Sequence, residues 1–581
     1  MNLLHNQSRR ALRLALALTL ATLLLVVGSL AQNRAASTDA QTEALTAKVD
    51  KLFVQWDKPD SPGCALGVIK DGRFIYKRGY GIANLDHSIP LSPTSVFYIA
   101  STSKQFAAAS VALLARQGKI SLDDDIRKYL PEMPQYRRPV TIRHLAHHTS
   151  GIRDYLTLMS LAGMRYEDVY SEEELVAIPA RQKELNFTPG DEHLYSNSGY
   201  FLLSVIVKRA LGKSLRQFAD EQIFKPLGMS NTHFHDDRAM VVKNRVTSYF
   251  PQKEGAFGVH VNNNFDKVGD GGLLTTVEDL ARWDRNFYDY QVGGKEFVDQ
   301  LLTPGQLNSG EKLTYAFGLS VGEYKGLKTV SHGGGFFGFR TEMIRFPDQK
   351  FSVICLCNLG SINAGGLARQ VAEIYLADQL MAGAAKRSDT SAKPAFIDLP
   401  EAELKNKTGV YRNAATGSIW KLFVSEAKLW VNPVSVNPFG FQLAPLSATH
   451  FRRVNSSPEV DVKFQQSGAD QHWAMQVEVP GQKPMVFTPT ELATPSAAQL
   501  AEYAGDYYSE ELNVTYQLAV EGGKLMLRRK TAPVTALFPA IKDEFRVEGS
   551  ILNFIRNDQQ RPVGFTLNAG RVKNLYFAKR L

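Results

Sequence analysis

A hydroxyl and an amine stand three residues apart in Phe97-Tyr98-Ile99-Ala100-Ser101-Thr102-Ser103-Lys104. Serine is a poor nucleophile until something takes its proton, and an amine one helical turn away can do so. Phe106, Ala109, Leu113 and Leu114 recur at helical spacing and Gly118 ends the run. That spacing predicts a helix with Ser101 and Lys104 on one face. Its N-terminus would aim free N–H groups and a positive dipole end at developing negative charge. Taken alone, the S-x-x-K pattern also fits Ser101 as a helix cap and Lys104 as a solvated first-turn residue.

Two later stretches supply the other groups acyl transfer needs. A turn at Pro189-Gly190 precedes Tyr195-Ser196-Asn197, and a helix with Leu203 and Val207 begins just after. A phenol can pass a proton to a leaving group, and an asparagine amide can orient a lysine and a substrate carbonyl. Val330-Ser331-His332-Gly333-Gly334-Gly335 is expected at the end of one strand and the opening of the next. Its glycines let a substrate lie against backbone and leave N–H groups free for an oxyanion.

Together Ser101-Thr102-Ser103-Lys104, Tyr195-Ser196-Asn197 and His332-Gly333-Gly334 resemble the three ordered motifs of the penicillin-recognising serine hydrolases. That family includes class C β-lactamases, DD-peptidases, D-aminopeptidases and β-lactamase-like esterases. The resemblance runs over residues 45–385 and includes His148-Thr149-Ser150-Gly151 and Gly271-Gly272-Leu273-Leu274-Thr275-Thr276. It implies Ser101 as nucleophile, Lys104 as its base or proton relay, and Tyr195 as a second proton shuttle. Asn197 would position lysine and substrate, with the oxyanion bound by the N–H groups of Ser101 and Gly335. His332, Gly333 and Gly334 would line the substrate site. His332 replaces the lysine of the Lys-Thr-Gly motif of most β-lactamases, which counts against efficient β-lactam hydrolysis.

Three other patterns are set aside. Gly318-Leu319-Ser320-Val321-Gly322 spells G-x-S-x-G, but Tyr315 to Tyr324 alternates as one strand and lacks the strand-turn-helix elbow that motif needs. His144, His147 and His148 have ligand spacing without an acidic partner, so no metal is expected. A deacylating glutamate of the class A type cannot be picked out. No cofactor is implied.

The 581 residues suggest two to four domains, and 44% hydrophobic with 22% charged residues is an ordinary globular balance. Residues 1–31 read as a signal peptide: Arg9, Arg10 and Arg13 precede an apolar run from Leu14 to Val27, then Gly28-Ser29-Leu30-Ala31. Its removal lowers the net charge from +9 to +6, and no basic run stands out, so nucleic acid is not an expected partner. A membrane would be met only through an uncleaved signal segment. The expected location is periplasmic or secreted. Cys64, Cys355 and Cys357 lie in apolar runs and read as buried thiols rather than a disulfide framework or metal site.

In chain order, strands are expected at Cys64 to Val68 and Phe74 to Tyr76, joined at Asp71-Gly72. Residues 120–290 read as mostly helical, with a capping box at Thr276-Val277-Glu278-Asp279. Strands follow at 313–324, 327–333, 338–346 and 350–357, then a helix over 365–382. Strands at both ends with helices between imply one sheet of chain-distant strands, an α+β, β-lactamase-like hydrolase domain over 42–385. After a linker at 386–398 the chain repeats itself. Thr408-Gly409-Val410-Tyr411 matches Ala504-Gly505-Asp506-Tyr507, and Lys428-Leu429-Trp430-Val431 matches Lys524-Leu525-Met526-Leu527. Two all-β, barrel-like units are expected, at 399–492 and 497–581. The pair is similar to the two barrels of the D-aminopeptidases. The function expected is an exported serine hydrolase acting on small amides, D-residue peptides (peptidoglycan-derived ones included) or esters. A class C-like β-lactamase and a catalytically weak cell-wall ligand sensor are the alternatives.

Overall fold

The structure, a computed structural model, describes residues 43–260, 266–380, 396–434, 440–454, 456, 459–467, 472–479 and 483–580. The expected signal peptide and residues 386–395 of the expected linker lie outside them. Cys64–Lys70 (β1) and Arg73–Tyr80 (β2) form the expected hairpin, with Asp71 and Gly72 at positive φ in its turn. Ser320–Tyr324 (β3), Leu327–Phe336 (β4), Phe339–Phe346 (β5) and Phe351–Cys357 (β6) complete a six-stranded sheet of order β3-β4-β5-β6-β1-β2. All neighbours pair antiparallel, so the chain's early hairpin closes against its late strands.

The helices that matter here are 43–53 (α1), Lys104–Arg116 (α2), Tyr155–Leu161 (α3), Asn197–Leu211 (α4), Val277–Asp289 (α5) and Ala364–Tyr375 (α6). Cys64, Leu66 and Val68 point to the face covered by Val49 and Phe53 of α1 and Val371 of α6. Ala65 and Ile69 point to the opposite face, where α5 packs. A strand buried on both faces reads as one continuous apolar run, which is how β1 reads.

Four expectations are corrected. Cys64 and Cys357 are not free thiols: the β1–β6 register sets them directly opposite each other, and they form a disulfide. Cys355, two residues along β6, stays a buried thiol. The expected strand over 313–324 shortens to β3 because Gly318 turns the chain at φ 69°. A Cβ on Gly318 would lie 2.5 Å from the backbone nitrogen of Gln105, so that turn is seated tightly on α2. Ser320 is exposed on the edge strand. The His332–Gly335 stretch lies at the end of a strand but does not open the next: it carries β4 to Phe336, and the hairpin turns at Phe337-Gly338. Finally, Lys104 is not a solvated first-turn residue: Lys104 to Leu114 are all buried, because α2 runs between α4 and the helix Gly294–Leu302.

The repeats are closed barrels. Eight antiparallel strands from Gly409–Arg412 to Met485–Pro489 close through Tyr411 opposite Pro489. Eight more from Gly505–Ser509 to Val572–Lys579 close through Tyr507 opposite Lys579. Tyr411 donates its hydroxyl to Lys407 O at 3.0 Å and Tyr507 to Tyr503 O at 2.9 Å, the same four-residue corner in both copies. The second barrel does not stand apart. Its apolar interior joins the core of the helical lobe, and Tyr516 donates to Leu161 O at 2.7 Å.

Candidate active site

Ser101 is the second residue of a short 3-10 turn, Ala100–Ser103, that feeds α2. Side chains three apart eclipse in a 3-10 turn, so Ser101 and Lys104 align more closely than an α-helix would allow. Ala100 enters the turn at φ 48°, a left-handed conformation that a non-glycine residue holds only when its surroundings enforce it. Here β4 and β5 do so. Thr341 donates its hydroxyl to Ile99 O at 3.0 Å and lies 2.9 Å from the Thr102 hydroxyl. Thr102 reaches His332 O at 3.3 Å.

Lys104 is fully buried. Its Nζ donates to Ser101 Oγ at 3.1 Å, Asn197 Oδ1 at 2.9 Å and Asp270 O at 2.5 Å. The last two are acceptors only and take two N–H bonds. The remaining position of the nitrogen therefore faces Ser101 Oγ, as a third N–H when charged and as a lone pair when neutral. Asn197 starts α4, and its own N–H donates to Asp154 Oδ2 at 2.7 Å, which fixes the helix end that carries the amide.

Tyr195 presents its ring 4.9 Å from Lys104 Nζ, and its hydroxyl is buried without a hydrogen-bond partner among the described residues. The His148 ring lies 4.2 Å behind it, and His148 Nδ1 accepts from Ser196 N at 3.2 Å. His144, His147 and His148 do not converge: His144 Nδ1 accepts from Thr141 N, while the His147 ring packs on Phe317. His332 is also buried, with Nε2 3.1 Å from Tyr315 OH and Nδ1 2.6 Å from Gly333 O. A carbonyl only accepts, so Nδ1 carries the proton and Nε2 takes the phenol's. Burial, and then nearby Lys104, push His332 down to about 4, which leaves it neutral at physiological pH.

The oxyanion side is set by unequal strand lengths. β3 pairs only Leu327 to Ser331 of β4, so among the described residues His332 to Phe336 have no partner strand on that edge. Gly334 lets this edge meet the nucleophile turn: a Cβ there would fall 2.3 Å from Ile99 O and 2.3 Å from Thr341 Oγ1. Gly334→Ala is expected to push β4 off the Ser101 turn and lower kcat/KM by about 100-fold with the chain still folded. Steady-state kinetics beside circular dichroism would check it.

The structure thus gathers Ser101, Lys104, Tyr195, Asn197 and the His332–Gly335 strand into one place. Sequence reasoning missed Asp154, Asp270, Tyr315 and Arg571. Arg571 comes from the second barrel, in the turn before Val572–Lys579, and its guanidinium carbon lies 4.5 Å from the Tyr195 ring centre. A cleft of about 1110 Å³ lies elsewhere, beside Tyr503, Arg556 and Lys579 of that barrel, and holds none of these groups.

A sheet of chain-distant strands, a helical lobe and a Ser-x-x-Lys turn against an open strand edge define a domain of the penicillin-recognising type. The chain belongs to the Beta-lactamase family, a family of serine hydrolases: residues 47–375 match its model. It is similar to a D-aminopeptidase of Gluconobacter oxydans, 28% identical over 321 residues that cover 55% of this chain and 59% of that protein. It is also similar to Penicillin-binding protein 4* of Bacillus subtilis, 31% identical over 305 residues that cover 49% of this chain and 66% of that one. The chain spans less than two thirds of the length of these curated relatives. The solved octameric penicillin-binding protein homologue from Pyrococcus abyssi shares the fold, with TM-score 0.52 and 22% identity over 77% of this chain and 99% of that one.

Proposed function

We propose that this chain is an exported serine hydrolase that forms an acyl-enzyme at Ser101 and acts on small amides, D-residue peptides or esters. The observation that carries the reading is the Lys104 nitrogen, held by two fixed carbonyl oxygens and turned to Ser101 Oγ. As Ser101 Oγ bonds to the substrate's carbonyl carbon, its proton passes to Lys104 Nζ. The Ser101 and Gly335 N–H groups receive the oxyanion. When the intermediate collapses, the leaving nitrogen or oxygen takes the Tyr195 proton, and Lys104 returns one to Tyr195. Water then repeats the sequence on the ester. The relatives named D-aminopeptidase support the D-amide class. A disulfide between β1 and β6 supports an oxidising compartment, periplasmic or extracellular.

The test is intact mass of the full chain during turnover of paired D- and L-alanine p-nitroanilides, p-nitrophenyl acetate and nitrocefin. Turnover of the D-amide with an adduct on Ser101 is the expected result. Ester turnover alone would narrow the reading to an esterase, and efficient nitrocefin turnover would make it a β-lactamase. Turnover with Ser101 never modified would sink the mechanism.

A further inference from the structure

Lys104 is buried, and a buried ammonium is costly unless an anion balances it. Its three direct partners, Ser101 Oγ, Asn197 Oδ1 and Asp270 O, are all neutral oxygens. The balancing charge must come from beyond them. Two buried carboxylates stand close by, Asp154 and Asp270. Asp154 is occupied: Oδ1 accepts from the N–H and hydroxyl of Thr157, and Oδ2 accepts from Asn197 N with Arg571 3.7 Å away. Asp270 is not. Its Oδ2 accepts from Tyr155 OH at 3.1 Å, while Oδ1 is buried without a partner among the described residues.

A carboxylate with purely structural duty in a protein interior has its oxygens satisfied. Asp270 instead keeps one oxygen bare, on the residue whose own carbonyl receives a Lys104 proton. Burial raises it to about 6 and the charge of Lys104 pulls it back, so the two groups sense each other. Burial moves the tyrosines and histidines that face the pair away from the range in which Asp270 titrates. Tyr98 and Tyr155, which face Asp270, are pushed upward by burial, while His148 and His332, which face Lys104, are pushed far down by it. Tyr195 and Tyr200 present ring faces to Lys104. Asp154 adds a negative charge that raises Asp270 further.

We propose that Asp270 is a positioning residue that holds the proton on Lys104 in the resting protein and so sets the acid limb of Ser101 acylation. The inference rests on the acyl-enzyme reading above. An ionised Asp270 favours the ammonium, which has no lone pair for the serine proton. A neutral side chain in its place lets Lys104 release that proton at lower pH. Asp270→Asn keeps the shape and an oxygen for Tyr155 OH but removes the charge.

The experiment follows labelling of Ser101 in the full chain by a fluorophosphonate, a probe of activated serines, against pH and by intact mass. For Asp270→Asn the midpoint of the acid limb is expected to fall by about one unit or more. Labelling one unit below the wild-type midpoint would then be several-fold faster. Tyr155→Phe removes the hydrogen bond that favours the carboxylate, so its midpoint falls in the same direction by less, and it decides the matter if Asp270→Asn does not fold. A structural role would lower the plateau and leave the midpoint in place. An unmoved or raised midpoint in the folded variant overturns the proposal. Failure of wild-type Ser101 to label at all would instead overturn the acyl-enzyme reading beneath it.

Discussion

Replacing Ser101 with alanine is expected to abolish turnover, with kcat/KM falling by about 10⁴-fold or more, and Lys104→Met should fall nearly as far. The reason is a single proton path. Among the described residues Ser101 Oγ has no other base within hydrogen-bond distance, since His332 is tied to Tyr315 and Gly333 and the hydroxyls of Thr102 and Thr341 face each other. Groups that act as one unit do not add, so the Ser101→Ala/Lys104→Met double variant should be no worse than either single one. Asn197→Ala should cost less, about 100-fold, because it frees one of two acceptors that aim the amine while Asp270 O keeps the other. Steady-state kinetics on the substrate turned over by wild type would check all four. A Lys104→Met protein with near-normal kcat/KM would remove the amine from the mechanism.

The parts of this site that the sequence discloses are those joined by short spacing or by a motif. Ser101 and Lys104 are three residues apart, and any helical turn brings them together. Tyr195-Ser196-Asn197 and His332-Gly333-Gly334 are singled out only by their resemblance to the family's ordered motifs, and the fold brings both to the nucleophile. Asp270 and Arg571 carry no such mark. Asp270 meets Lys104 across 166 positions, one residue before the Gly271-Gly272 stretch that the resemblance includes and outside it. Its importance is electrostatic and appears only once burial is known. The disulfide is hidden for the same reason, since 293 residues separate Cys64 from Cys357 and only strand register opposes them. In the repeats, the offset between Tyr411 and Tyr507 is legible because each tyrosine anchors the same corner. Closure is not legible, because it depends on pairing the first strand of each copy with its last.

The second barrel's contact with the site leads to the other large expected effect, that of Arg153→Ala. The Arg153 side chain is fully buried where the barrel meets the helical lobe. It binds Glu511 Oε1 at 2.8 Å, Gln182 Oε1 at 3.0 Å, Lys573 O at 3.1 Å and Asn574 O at 3.2 Å. Three of those partners, Glu511, Lys573 and Asn574, belong to the second barrel. Removing the guanidinium leaves the buried Glu511 carboxylate its Lys183 N–H at 2.6 Å but no cation, and frees three further acceptors, at about 3 kcal/mol. The interface, rather than either body, should absorb that loss, since Arg153 fills no barrel interior. The 569–574 turn, still tied to the lobe through Asn186 and Glu192, would loosen and let Arg571 shift from Tyr195 and Asp154. Hydrogen exchange in that turn should rise sharply while the strands of both barrels stay protected, and kcat/KM should fall. Tyr516→Phe, which removes one neutral hydrogen bond to Leu161 O at the same interface, should weaken docking by only about 1 kcal/mol and change activity little. Arg571→Ala separates the two roles, because the barrel stays docked through Arg153 while the cation over Tyr195 is lost. If both arginine variants lose activity, the barrel acts through Arg571. If only Arg153→Ala does, it acts by bracing the helical lobe. An Arg153→Ala protein with wild-type exchange and wild-type kinetics would show that the second barrel takes no part in the site.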